Sequence, residues 1–357
     1  MATALDVVHP RTRRLRRVDP SRPGYTRRKR GKGFEYLDQQ GRRIADDATL
    51  ERIRKLAIPP AWTEVWICPD DMGHIQAVGT DAAGRRQYRY HDVWRERRDR
   101  SKHERMEAFA RRLPEFRAIV TGDLAKRGMP KERVLACAAR LLDQAFFRVG
   151  GESYAEQNGS YGLATIRRDH VEVRGAQLTF DYTAKGGIRR IQRVGDAELA
   201  KVVKALKDRD DDSMELLAWK DGSRWRDVRS ADINDYLKAH AGDDVSAKDF
   251  RTWHATVLAA VVLAGKDIEA TTHTSRKRLT SAAVKEVSSF LGNTPAVCRA
   301  SYIDPRVIDR FMDGETIAGD LVELGTSDLT DPAVQARVEA AALELLIGDR
   351  RASLRAA

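Results

Sequence analysis

The run RERRDRSKHER (95–105) is charged on nearly every residue, and the hydrophobic pattern differs on its two sides. Before it, apolar patches are short and bounded by turn formers. They comprise Phe34 and Tyr36, then Val65–Cys68, Ile75–Thr80 and Gln87–Tyr90, set apart by Gln39–Gly41, Asp70–Gly73 and Asp81–Gly84. This spacing predicts a small antiparallel sheet. One helix over Ala48–Leu56 interrupts it, ending before Pro59-Pro60. After the charged run, apolar residues recur at helical spacing. Over 131–147, Val134, Leu135, Ala138, Leu141, Leu142, Ala145 and Phe146 share one face, ahead of Gly150-Gly151. Further helices are predicted over 195–207, 230–240, 248–264, 278–291 and 332–347. Thr294 as N-cap with Pro295 at the first helical position opens a short one. Only 170–193 departs from this pattern. There HVEV, QLTFDYT and IRRIQRV, joined by turns at Arg174-Gly175 and Lys185–Gly187, predict a three-stranded meander. The fold class is therefore α+β. A β-rich N-terminal domain (33–98) precedes a mainly α-helical domain (99–348) with a small inserted sheet, flanked by a basic arm (1–32) and a basic tail (349–357).

Charge points to a polyanionic partner. Lys and Arg number 64 against 53 Asp and Glu, a net +11 over 357 residues, which favours nucleic acid or an acidic membrane face. The surplus lies early: residues 1–100 carry 23 basic and 14 acidic side chains, the rest 41 and 39. Residues 11–32 hold eleven Lys or Arg against Asp19 alone, broken by Pro20, Pro23 and Gly24. A segment so charged predicts a mobile arm that steers toward DNA. Several classes are excluded. No apolar run reaches the roughly 18 residues of a membrane span, and MATALDVVHPRTRRLRR lacks the apolar core of a secretory signal. Cys68, Cys137 and Cys298 are far apart and read as reduced thiols of a cytoplasmic protein. No GxxxxGK loop occurs, which argues against a P-loop ATP motor. The acidic run Asp208–Asp212 has no partner cluster and reads as a solvated turn, not a metal site.

Five segments concentrate residues able to carry chemistry. They are GRRQYRYH (84–91), FFRVGGESYAEQNGSYGLATI (146–166), FDYTAKGGIRR (180–190), AKDFRTWHAT (247–256) and LGNTPAVCRASYIDP (291–305). Taken singly, their residues have plain structural readings. Tyr302 suits a helix end and Asn293 a polar cap after Gly292. Arg148 suits the dipole at a helix C-terminus. Arg251 reads as a surface arginine beside Phe250, and Lys185 as an exposed turn lysine. In this order and spacing, however, the segments resemble type IB DNA topoisomerases. The small bacterial and poxvirus-like enzymes are the nearer match and tyrosine recombinases a distant one.

The resemblance implies a mechanism. Tyr302 is the nucleophile, forming a 3′-phosphotyrosine ester. A phenol with an ordinary pKa of about 10 requires an electropositive site for this. Arg148 and Arg251 bind the scissile phosphate, where a planar guanidinium donates paired hydrogen bonds and keeps its charge. Lys185 is the general acid for the 5′-oxygen, and cations must oppose the rise in its pKa that nearby phosphates cause. Asn293, nine residues before Tyr302, stands where poxvirus and eukaryotic members and most recombinases have histidine. An amide donates a hydrogen bond but does not titrate, so its part is electrostatic. His254, three residues past Arg251, does not match a family position and reads as packed or hydrogen-bonded. Expected DNA contacts are Gln87, Tyr88 and Tyr90 in the N-terminal domain, with the two tyrosines on one strand face and Gln87 on the other, then Tyr154, Thr165 and Lys248. The implied partner is duplex DNA, held by a monomeric clamp in the cytoplasm at the nucleoid, with no metal, nucleotide or other cofactor required. A tyrosine recombinase and a DNA-binding clamp without catalysis are the rivals.

Overall fold

The computed structural model describes residues 14–82, 84–324 and 331–355, with the side chains of 96, 97, 99–103, 154, 268 and 349–355 outside that description. Two compact units divide the chain, Met1–Lys102 and His103–Ala357.

The first unit is built on β1 (Tyr25–Arg30), β2 (Gly33–Leu37), α1 (Asp47–Lys55), β3 (Thr63–Ile67), β4 (Ile75–Thr80) and β5 (Arg86–Tyr90). The strands form one antiparallel sheet in the order β2-β1-β3-β4-β5. Asp46 caps α1 by accepting the Thr49 N–H. The core under the sheet is Ile53, Val65, Ile67 and Ala77, with Tyr25, Tyr36 and Trp62 packed against it.

Strand β1 corrects the expected arm. Residues 1–13 lie outside the described residues, but Tyr25–Arg30 pair with both β2 and β3. Arg16 also bridges Gly73, with its N–H on the Met72 carbonyl. Charge density hid an amphipathic strand. Tyr25 packs on the core, and Arg27 lays its guanidinium 4.2 Å from the Phe34 ring. Its N–H groups donate to the carbonyls of Ile58 (3.2 Å), Pro59 (3.0 Å) and Trp62 (2.6 Å). An arginine that covers apolar surface with its stem and satisfies loop carbonyls with its head belongs in a folded sheet.

The charged run 95–105 lies within α2 (Asp92–Leu124). Lys, Arg and Glu are good helix formers, so charge alone does not end a helix. There follow α3 (Lys131–Ala145), α4 (Glu152–Asn158), β6 (Val171–Arg174), β7 (Gln177–Ala184), β8 (Ile188–Gly195) and α5 (Ala197–Lys207). Strands β6, β7 and β8 form the meander, antiparallel and in chain order. On β7, Leu178, Phe180, Tyr182 and Ala184 turn inward at period two. A hairpin of β9 (Ala218–Asp221) and β10 (Arg224–Asp227) comes next. The chain ends in α6 (Ser230–Ala241), α7 (Ala247–Ala264), α8 (His273–Leu291), α9 (Pro295–Ser301), α10 (Pro305–Asp313), α11 (Ala318–Leu324) and α12 (Pro332–Arg355). The tail expected from 349 thus continues α12 as far as Arg355.

Helix α7 is the centre of the second unit. Its buried residues, from Phe250 and Trp253 to Leu263, lie on every side, as in a helix enclosed by others. An ionic network ties its neighbours to it. Arg117 of α2 pairs with Asp143 of α3 (2.7 Å) and Glu339 of α12 (2.8 Å). His254 of α7 meets Asp143 at 3.0 Å, so it is the hydrogen-bonded histidine that its position suggested.

Candidate active site and family

Helix α3 delivers the first arginine through an unusual exit. Its C-cap, Phe146, takes a left-handed conformation at φ 57°, which a bulky residue adopts only under constraint. The turn sends Phe147 fully into the core and releases Arg148 toward α8. Two glycines then fix the backbone beyond it. A Cβ on Gly162 would lie 2.4 Å from the Gly150 Cα, so the two chains touch main chain to main chain. Across that crossing the carbonyls of Arg148 and Val149 accept N–H bonds from Leu163 (2.8 Å) and Ala164 (2.7 Å).

Arg251 rises from the first turns of α7 and is only 3% exposed. It donates to the Phe146 carbonyl and, at 2.8 Å, to that of Leu291. Helix α8 ends in Gly292 at φ 63°, a left-handed cap that glycine adopts without penalty. Asn293 follows. Arg148 Nη2 donates to Asn293 Oδ1 and to the Gly292 carbonyl at 3.3 Å. A guanidinium only donates, so it selects the amide oxygen and leaves the amide N–H groups over. Asn293 Nδ2 is buried without a partner, and so is Arg251 Nε.

Tyr302 stands at the C-cap of α9, which Thr294 and Pro295 open as expected. Its ring centroid lies 5.2 Å from the Arg251 guanidinium carbon and 5.9 Å from Lys248 Nζ. Behind it, the buried Thr256 hydroxyl accepts the Asp304 N–H at 3.0 Å. The same hydroxyl shares its proton between the carbonyls of Thr252 (2.9 Å) and Tyr302 (3.3 Å). The segment carrying the phenol is therefore anchored to α7.

Electrostatics favour the phenolate. Burial raises the Tyr302 pKa, but Arg251, through its charge and donor N–H groups, followed by Arg148 and Lys248, outweighs burial and leaves it below the ordinary value. Burial and then the like charge of Arg148 push Arg251 down to about 10, so it stays cationic at neutral pH. Among the described residues no carboxylate forms an ion pair with Arg148 or Arg251. A half-enclosed phenol, two guanidinium groups and two buried donors lacking acceptors make a receptor for a tetrahedral anion.

Comparison with known proteins gives the family. A family model for the catalytic core of eukaryotic DNA topoisomerase I matches residues 91–314. Another, for the N-terminal domain of bacterial DNA topoisomerase IB, matches residues 33–81. The DNA topoisomerase 1B of Acanthamoeba polyphaga mimivirus is 30% identical over 285 residues, covering 78% of this chain and 85% of that one. The chain belongs to the type IB DNA topoisomerases. More distant relatives include DNA topoisomerase 1B of vaccinia virus (strain Copenhagen), 21% identical over 275 residues, 75% of this chain and 83% of that one. DNA topoisomerase I of monkeypox virus is 20% identical over 273 residues, with the same shares covered.

In this topoisomerase Arg148, Arg251, Asn293, Tyr302 and Lys248 come together as one cluster. Lys185 is exposed on the turn between β7 and β8, ahead of Gly186 and Gly187, both at positive φ. In the first unit, Tyr88 and Tyr90 stack on one face of the edge strand β5 at 6.1 Å, and Tyr88 is 44% exposed. Gln87, on the other face, donates to Asp81 at 2.9 Å. Thr165 is buried, and its hydroxyl accepts the Gly162 N–H at 3.0 Å, so it braces the glycine crossing. The side chain of Tyr154, on α4, lies outside the described residues. The Asp208–Asp212 run is a turn in which Asp211 pairs with Arg209 at 3.0 Å. No helix among the described residues is long and apolar enough to cross a membrane.

One residue of the site escaped the sequence reading. Arg190 of β8 donates to the carbonyls of Ser289 (3.1 Å) and Phe290, at the same end of α8 that holds Arg148 and Arg251. The motif IRRIQRV contains three arginines. Only the register that sets Arg190 opposite Tyr182 tells which of them reaches α8.

Proposed function

We propose that this topoisomerase relaxes duplex DNA by transesterification at Tyr302. The phenolic oxygen attacks phosphorus, the bond to the 5′-oxygen breaks, and a 3′-phosphotyrosyl ester takes its place. One phosphodiester is exchanged for another, so bond energy is kept for resealing and no nucleotide is consumed. Arg148, Arg251 and Asn293 bind the non-bridging oxygens as charge develops there. Lys185 delivers the proton to the departing 5′-oxygen. The reading needs no metal ion and one copy of the chain, acting on chromosomal DNA in the cytoplasm.

One observation carries this reading. Arg251 Nε and Asn293 Nδ2 are buried without acceptors beside a phenol whose pKa is lowered by three cations. Buried donors left unmatched are costly, about 1–3 kcal/mol each, unless a ligand supplies the acceptor. A phosphate oxygen does so at the place where Tyr302 attacks.

The test is relaxation of a supercoiled plasmid in EDTA without nucleotide, together with capture of the covalent adduct on a nicked suicide substrate. Wild type is expected to relax supercoils of both signs and to form the adduct, while Tyr302→Phe binds DNA and does neither. Strict dependence on magnesium or ATP would overturn the reading. Binding by wild type with neither relaxation nor adduct would leave a clamp without catalysis instead, and equal activity of Tyr302→Phe would show that Tyr302 is not the nucleophile.

A further inference from the structure

The C-terminal end of α8 is held in a way that the reaction scheme does not use. Four consecutive carbonyls there receive guanidinium N–H groups from three different elements. Arg190 of β8 takes Ser289 and Phe290, Arg251 of α7 takes Leu291, and Arg148, beyond α3, takes Gly292. A helix leaves its last carbonyls without internal partners, and a cation is favoured at that pole. Three such cations in one place are nevertheless unfavourable to assemble. The half-buried Arg190 has its pKa lowered by burial, with Arg148 adding to the effect and Tyr182 opposing it. Among the described residues no carboxylate forms an ion pair with it. The guanidinium also occupies the space beside the cap: a Cβ on Gly292 would lie 2.7 Å from Arg190 Nη1. Asn293 begins one residue later.

We propose that Arg190 is a positioning residue for the transesterification. Bridging two carbonyls of α8, it fixes the turn from which Asn293 departs, and through Asn293 Oδ1 it sets the approach of Arg148 to the phosphate. Arg190 touches neither phosphate nor Tyr302 in this scheme. The inference rests on the roles given above to Tyr302, Arg148 and Asn293.

Single-turnover adduct formation on a suicide substrate, measured beside equilibrium DNA binding and thermal melting, tests it. Wild type is measured first; if it forms no adduct, the transesterification reading fails and this inference with it. Given wild-type cleavage, Arg190→Met is expected to slow adduct formation at saturating DNA by about 10–100-fold, the scale of a misplacement near 1 Å. Its DNA affinity should stay near that of wild type. Arg189→Met removes the same charge from an exposed neighbour paired with Asp181 and should leave the rate unchanged. Arg190→Lys should recover only part of the rate, because an ammonium lacks the planar fork that holds adjacent carbonyls in one fixed geometry. In the double variant Arg190→Met/Asn293→Ala the rate should fall no further than in Asn293→Ala alone. A wild-type rate in Arg190→Met, a loss confined to DNA binding, full rescue by lysine, or additive losses in the double variant would each overturn it. Should Arg190→Met fail to fold, Arg190→Lys and its double variant carry the same comparison.

Discussion

Replacing Asn293 by alanine removes a side chain whose oxygen is engaged by Arg148 and whose Nδ2 has no partner. The DNA-free enzyme should tolerate this well, since a buried unmatched donor disappears along with one acceptor of Arg148. Catalysis should not. A donor aimed at charge that grows on phosphorus oxygens is worth about 3–4 kcal/mol in the transition state, so cleavage should fall by about 10²–10³. Position and chemistry can be separated by the leaving group. With sulfur in place of the 5′-oxygen, the departing thiolate needs no proton. Loss of Lys185 should then be largely rescued, whereas Asn293→Ala should remain slow on both substrates, because the non-bridging oxygens are unchanged. Rate constants for adduct formation on the paired oxygen and sulfur substrates give the answer directly. If sulfur restores the alanine variant, Asn293 belongs to the path of the proton and the electrostatic assignment is wrong.

Other perturbations probe the scaffold. Gly162→Ala would set a Cβ 2.4 Å from the Gly150 Cα. It should destabilise the chain by about 1–3 kcal/mol and slow cleavage by shifting Arg148; a wild-type melting temperature and rate would deny that the crossing is tight. Asp143→Asn breaks a buried network and should cost about 3–5 kcal/mol in thermal or urea unfolding. Burial works to raise the Asp143 pKa, but hydrogen bonds from His254 and Arg117 hold it below the usual carboxylate range. Its contribution is thus complete above about pH 4 and lost as pH falls through the folded value, so the variant's stability should depend less steeply on acid. Lys29→Gln with Arg30→Gln, on exposed β1 positions, should flatten the log–log salt dependence of DNA binding by roughly 0.9 per phosphate contact removed. An unchanged slope would show that these two residues do not meet DNA.

Much of the site is legible only from the order and spacing of five segments that resemble the family, since its residues taken singly have plain structural readings; those residues hang on the ends of strongly patterned elements. Arg148 follows the clear apolar face of α3, Arg251 lies on the continuous apolar α7, and Tyr302 ends a helix announced by Thr294-Pro295. What stayed hidden depends on partners distant in sequence. The place of Arg190 follows from strand register and from a helix end about a hundred residues away. The hydroxyl of Thr165 serves the backbone beside it, a role that its residue type alone does not announce. Strand β1 was concealed because counting charges ignores which face of Arg27 meets Phe34. The β9–β10 hairpin did carry a signal, Asp221-Gly222 between Trp219 and Trp225, which the helical pattern around it obscured.

The tether of Tyr302 to α7 through Thr256 has a consequence for the broken state. A nucleophile on a loose loop would carry its captured strand away after the break, and the gap would have to be found again before closure. On the proposed transesterification the captured end would stay where it was taken, leaving only the released end at liberty to swivel. Each return of that end would meet the same geometry, and the number of turns lost per event would be a contest between torque and the proposed ester.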